Sequence, residues 1–169
     1  MGFDYVTAFR QGGHWSKYVA DILQSKGVRC SAPDIKIATT TAEREYMTRY
    51  EQDIVFNWND EALEVKSSSR DFTSDCFNYP YESLFVDTVS SFESKIVKPL
   101  AYVFVSQKVK GLVCLSPKAK NHWRKVEAFD KQRQINELFY SASKDLLIPF
   151  NDLVDHLLKH QNIKDDGSS

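Results

Sequence analysis

The chain has 169 residues, 42% of them hydrophobic and 27% charged, with a net charge of −1. That profile fits one globular domain and excludes the disordered, collagen-like and membrane-embedded classes. No run approaches the roughly 18 apolar residues of a membrane-spanning helix, and Met1-Gly2-Phe3-Asp4-Tyr5 lacks the basic-then-apolar layout of a secretory leader. Cys30, Cys76 and Cys114 are odd in number and far apart. They offer neither a zinc ribbon nor a disulfide framework, and the expectation is reduced thiols in an intracellular, cytoplasmic protein.

In chain order, Trp15, Tyr18, Val19, Ile22 and Leu23 form a stripe at helical spacing, so residues 14–26 are expected to be helical, with Gly27 where a C-terminal cap belongs. Residues 28–37 read as extended, broken by Pro33. Residues 39–51 are polar and read as a short helix or an ordered loop. Two short strands follow, within 53–57 and 62–67. Ser67 to Tyr81 has neither period and reads as a long loop, the kind that often carries function. Residues 84–89 are expected as a strand, 90–97 as a short helix, and 100–105, apolar on both faces, as a buried central strand paired with 111–115. Residues 126–143 read as a helix with a weak stripe. Phe150, Leu153, Val154, Leu157 and Leu158 define a last helix, with Asn151 as N-cap. His156 and His160 on that helix have metal-ligand spacing but no evident third ligand, so a solvated helix end is expected. The layout implies a single domain over 1–163, a disordered tail over 164–169, and an α/β fold with a mixed central β-sheet flanked by helices.

The two short strands hold the most pointed pattern. Ile54 and Phe56 face one way, and Asp53 and Val55 the other; Leu63 and Val65 face one way, and Ala62, Glu64 and Lys66 the other. A four-residue loop at 57–60 sets Asp53 opposite Glu64. Like charges there are destabilising, so such a pair usually serves to bind a cation. A two-residue loop would instead set Asp53 opposite Lys66, an ordinary ion pair, and a three-residue loop would part the two acids. Acidic-x-Lys triplets occur three times, at 34–36, 64–66 and 93–95. Only the middle one lies on an expected strand that follows another strand carrying an acid.

This combination resembles the PD-(D/E)XK nuclease superfamily, the fold of many restriction enzymes and phage or repair nucleases. Its shared core runs helix, three strands, helix, strand (αβββαβ). That order maps onto 14–26, 53–57, 62–67, 84–89, 90–97 and 100–105, with C-terminal helices added. By residue matching, the resemblance implies that Asp53 and Glu64 bind Mg2+, or Mn2+ in its place, that the Val65 carbonyl adds a ligand, and that Lys66 positions or activates the attacking water. Gln52 replaces the usual proline, and Ser16 stands where many members carry a helix glutamate. A cation held by two carboxylates supplies charge neutralisation and an activated water for phosphodiester hydrolysis. Lys66 would serve either with a lowered proton affinity or as a stabiliser of developing negative charge.

Residues 94–126 contain eight Lys or Arg and no acid, leaving 14 basic against 23 acidic residues in the rest of the chain. Such segregation attracts polyanions. Lys118, Lys120, Arg124 and Lys125 are the expected nucleic-acid contacts, with Arg70 and Tyr79 from the loop; Phe72 and Tyr81 are expected to pack the loop onto the sheet. The reading is a magnesium-dependent nuclease acting on DNA in preference to RNA, with no membrane partner and a homodimer allowed. The alternative is a nuclease-fold module that binds nucleic acid or a protein without cutting.

Overall fold

In the computed structural model, which describes residues 5–34, 38–50, 52–131 and 133–165, the stripe of Trp15, Val19 and Leu23 is buried along helix α1 (Tyr5–Ser25). Gly27 ends it at φ +94°, with its N–H on the Gln24 carbonyl and the Val28 N–H on the Leu23 carbonyl. This left-handed turn satisfies the last carbonyls and favours glycine. Strand β1 (Cys30–Ser31) and helix α2 (Thr41–Tyr50) lead to the hairpin of β2 (Ile54–Phe56) and β3 (Ala62–Ser68). Strand β4 (Ser83–Thr88), helix α3 (Val89–Ser94), β5 (Ala101–Ser106), β6 (Leu112–Leu115), β7 (Arg124–Asp130), β8 (Ile135–Ser143), β9 (Ile148–Pro149) and helix α4 (Phe150–Asp165) complete the chain.

The mixed α/β class is as expected. A six-stranded sheet runs β1-β2-β3-β5-β6-β9, with β3 and β5 parallel and every other pair antiparallel. One face buries Leu63, Val103, Val105 and Cys114 under α1 and α4; the other buries Tyr102, Phe104, Val113 and Leu115 under α3 and a second sheet. Strand β5 is buried at every position, as its doubly apolar pattern requires.

Three expectations are corrected. Residues 84–89 do not join the central sheet. Strand β4 buries Leu84 and Val86 but exposes Ser83 and Phe85, an amphipathic pattern suited to a sheet with one wet face, and it lies in a three-stranded sheet of order β4-β8-β7. The three strands after α1 are therefore β1, β2 and β3. Residues 126–143 form the β7–β8 hairpin rather than a helix, which leaves α4 as the one C-terminal helix among the described residues. The hairpin escapes notice because its turn holds no glycine: Gln134 takes φ 58°, and the Asp130 carboxylate accepts from the Arg133 N–H (3.2 Å) and Nε (2.8 Å). Asn151 lies inside α4, one residue past its start, and is not its cap. Residues 166–169 of the expected tail, and residues 35–37 of the first acidic-x-Lys triplet and its strand, lie outside the described residues.

The long loop is ordered by its neighbours. Ser106 donates its hydroxyl to the Arg70 carbonyl (2.8 Å), and the Leu112 N–H donates to the Ser74 hydroxyl (2.9 Å). Gly111 permits this approach, since a Cβ there would lie 2.2 Å from the Phe72 carbonyl oxygen.

Candidate active site

The β2–β3 ladder pairs Ile54 with Leu63 and Val55 with Ala62. Extended by one step, this register sets Asp53 opposite Glu64, the arrangement given by the four-residue-loop reading. The Asp53 carboxylate accepts the Val65 N–H at 2.8 Å and so braces the start of β3. Val65 turns its side chain towards the helix-covered face. Glu64 and Lys66 sit beside Tyr102 and Phe104 of β5, on the other face.

On that face the structure adds two residues that sequence reasoning missed. Asp87, near the end of β4, has a side chain only 4% exposed, and Lys95, capping α3, has one 9% exposed. The Lys95 ammonium lies 3.0 Å from Glu64 Oε1 and 3.5 Å from Asp87 Oδ2. The Lys66 ammonium lies 3.3 Å from Asp87 Oδ1 and 3.9 Å from Glu64 Oε2. Each lysine thus touches both acids. Lys95 belongs to the third acidic-x-Lys triplet, set aside on the sequence; its triplet partner Glu93 points elsewhere, to Lys120 and the Tyr140 hydroxyl. The visible signal for Lys95 was the triplet itself. Asp87 offered none, being an ordinary acid on an amphipathic strand.

The electrostatics follow from this crowding. Burial disfavours the Lys66 ammonium, but the charges of Glu64, Asp87 and Asp53 together outweigh it and hold its pKa above the ordinary lysine value. Tyr102 is fully buried, and burial followed by the adjacent Glu64 and Asp87 charges pushes its hydroxyl pKa far up. Glu64 Oε2, Asp87 Oδ2 and the Tyr102 hydroxyl are buried without a hydrogen-bond partner. Such atoms are costly to desolvate, which makes them natural contacts for a ligand. A niche of about 10 Å³ lined by Asp53, Glu64 and Lys95, among others, has room for a single water-sized occupant.

The cluster opens on a cleft of about 400 Å³ between β3 and the second sheet, lined by Lys66, Ser68, Arg70, Asp87, Arg133 and Phe139 among others. A second hollow of about 560 Å³ adjoins it along Asp87, Thr88 and Arg133. Arg70 borders the cleft, donating to the Ser83 carbonyl (2.8 Å) and lying over the Tyr81 ring. Tyr79 lines the cleft but is only 4% exposed and packs against Phe72 and Tyr81. Phe72 packs inward as expected.

The basic stretch is not one face. Lys95 enters the acid cluster, Lys98 donates to the carbonyls of Phe92 and Lys95, and Lys110 lies over the Trp15 ring. Lys120 pairs with Glu93 at 2.6 Å. Lys118 lines a pocket on the α4 side with His156 and His160; Lys108 and Lys110 are exposed on the turn after β5, and Arg124 and Lys125 are exposed on β7. Trp123 between them and Lys120 is a core residue.

Among the described residues no three His, Cys, Asp or Glu side chains converge as a metal-binding group; the acids near Glu64 approach in pairs with lysines between. No described helix is long and apolar enough to cross a membrane. Comparisons with family models, with curated proteins and with solved structures returned no match for this chain.

Proposed function

We propose that the protein is a divalent-metal-dependent nuclease of the PD-(D/E)XK kind, acting on DNA. One observation carries the reading: Asp87 lines the cleft beside Lys66, Glu64 lines the small niche next to it, and the two acids share Lys66 and Lys95 while each keeps a buried oxygen without a hydrogen-bond partner. The order helix, three strands, helix, strand supports it, made by α1, β1–β3, α3 and β5 with α2 inserted after β1 and β4 inserted before α3. The donor set fits magnesium or manganese, which favour one or two carboxylates plus water and substrate oxygens. Glu64 and Asp53 would hold the ion, with the Val65 carbonyl beside them and Asp87 as a further acid. When bound, the ion would neutralise charge at the scissile phosphate and lower the pKa of a bound water.

The chain's own groups do the rest. Lys66, flanked by two carboxylates, is a charged donor that orients water and offsets charge developing on phosphate oxygens. Asp53 fixes the β3 backbone through Val65, so that Glu64 and Lys66 keep their spacing. Arg70 and the exposed Arg124 and Lys125 contribute positive charge for the phosphate backbone.

A second reading, a module that binds without cutting, is favoured by Lys95, whose ammonium bridges the two acids, and by the buried Ser16 on α1. Incubation with supercoiled, linear and single-stranded DNA and with RNA, in magnesium, manganese or chelator, separates the two. The nuclease reading expects cutting that chelator stops and that Glu64→Ala lacks. Full activity of a clean Glu64→Ala preparation overturns it, and retention of nucleic acid without cutting supports the binding module.

A further inference from the structure

We infer that Lys95 is a resident cation of the acid cluster, and that a divalent metal must compete with its ammonium for Glu64 and Asp87. The inference rests on the metal-dependent reading above and adds a control on when the metal enters.

The geometry that places Lys95 is local and specific. Asp87 Oδ1 accepts the Thr88 N–H at 2.9 Å, and the Thr88 hydroxyl accepts the Ser91 N–H at 3.1 Å, starting α3 immediately after Asp87. One and a half turns later Lys95 caps the helix, its N–H on the Phe92 carbonyl. Its side chain turns back to the sheet, where the ammonium meets Glu64 Oε1 (3.0 Å), Ser91 Oγ (3.2 Å) and Asp87 Oδ2 (3.5 Å). An ammonium carries three donors and no acceptor, and here each proton has an oxygen in reach. Carboxylates from two separate elements thus converge on one small cation, an environment that equally suits a hard metal ion.

Two features point to exchange and not merely to a fixed ion pair. Glu64 Oε2 and the Tyr102 hydroxyl remain buried without a hydrogen-bond partner while the ammonium is in place. A structural ion pair requires its remaining lone pairs and protons to be met. In addition, the chain after Lys95 is at the surface, with Ile96 61% and Val97 53% exposed, so the lysine can withdraw without disturbing core packing. Lys66, paired with Phe104 of β5 and lining the cleft, stays beside the acids at the cleft mouth. Lys95 is therefore a positioning residue: it holds the carboxylates together and gives way to the metal.

The test is Mn2+ binding to the intact protein without nucleic acid, by calorimetry and by the electron paramagnetic resonance of free Mn2+. Wild type is compared with Lys95→Met, Lys95→Arg, Glu64→Gln and the double variant Glu64→Gln/Lys95→Met. Removing one unit charge a few ångströms from the ion should tighten Mn2+ binding by about tenfold in Lys95→Met. Lys95→Arg should bind no more tightly than wild type, and the Glu64→Gln change should abolish the gain. If Lys95→Met does not fold in chelator, recovery of its near-ultraviolet circular dichroism on adding Mn2+ supports the inference, and no recovery overturns it. Unchanged or weaker binding in Lys95→Met, with wild-type binding that depends on Glu64, overturns the competition and leaves the metal site standing. No Mn2+ binding by any form removes the metal-dependent reading and this inference together.

Discussion

The two faces of the central sheet are built to different rules. Under α1 and α4 the sheet presents Leu63, Val103, Val105 and Cys114 to a helix-covered core, with α4 contributing Leu153, Val154 and Leu157. On the other face the aromatic core of Tyr102, Phe104, Phe92, Trp123 and Tyr140 abuts Glu64, Asp87, Lys66 and Lys95. The first face stabilises by area and fit. The second keeps four charges and several unsatisfied oxygens in a partly desolvated place, an arrangement that well-packed apolar residues of similar volume would often match or better in stability. Features that cost stability and cluster beside a cleft are what a functional site looks like in energetic terms.

Substitutions on each face should therefore fail in different ways. The largest loss of stability belongs to the apolar face: Leu157→Ala, at a side chain 1% exposed, should cost about 4 kcal/mol in urea unfolding, with the activity of the remaining folded protein intact. A loss under about 1 kcal/mol would mean that α4 is not a main support of the sheet. Asp87→Asn comes next. It leaves two ammonium groups against Glu64 with one acid fewer and should cost about 3 kcal/mol, and under the proposed nuclease function it should lower cleavage by about a hundredfold. Retained cleavage with lost stability would make Asp87 a scaffold group only.

At the rim the effects shrink. Replacing Arg124 and Lys125 with Ala should lower the slope of log affinity against log salt by about 0.7–0.9 for each phosphate no longer neutralised, measured by DNA titration at several salt concentrations. An unaltered slope removes β7 from the interface. The smallest effect is at Glu93. Hydrogen bonds from Lys120 and Tyr140 hold its carboxyl down at about 2, against an ordinary 4.5. A carboxylate lowered on folding adds stability that is complete above its unfolded pKa and is lost as pH falls through the folded one. The melting-temperature gap between wild type and Glu93→Gln should thus be full above about pH 4.5 and fade towards pH 2. A gap that does not change with pH would show that this exposed pair contributes nothing.

The difference between the faces also explains what could be read before the fold was known. Period-two alternation at Ile54, Phe56, Leu63 and Val65, with a polar gap between, was enough to show the two strands and to offer Asp53 opposite Glu64 as one of three registers, because register in a hairpin is set locally by the loop length. The Leu153–Leu158 helix and the all-apolar β5 were legible for the same reason. Asp87 and Lys95 were not, since their roles exist only after β3 pairs with β5 and the intervening chain packs on the sheet. Strand β4 was visible as a strand but not as a member of a second sheet, a choice made by which of its faces is wet. The β7–β8 hairpin lacked glycine, proline or asparagine at its turn, leaving no punctuation to separate two strands from one helix.

The parallel join of β3 and β5 has a kinetic consequence. A parallel pair cannot close through a tight turn, and here the crossover spans everything from the loop after β3 to the start of β5, carrying Asp87 and Lys95 with it. During synthesis Glu64 and Lys66 leave the ribosome early, in a hairpin that can form within microseconds. Their partners arrive only after the crossover has been made and its ends brought together, a nonlocal step that costs loop entropy before any contact repays it. The charged cluster therefore cannot form before the crossover closes, so a chain that has not closed it carries its acids and lysines apart.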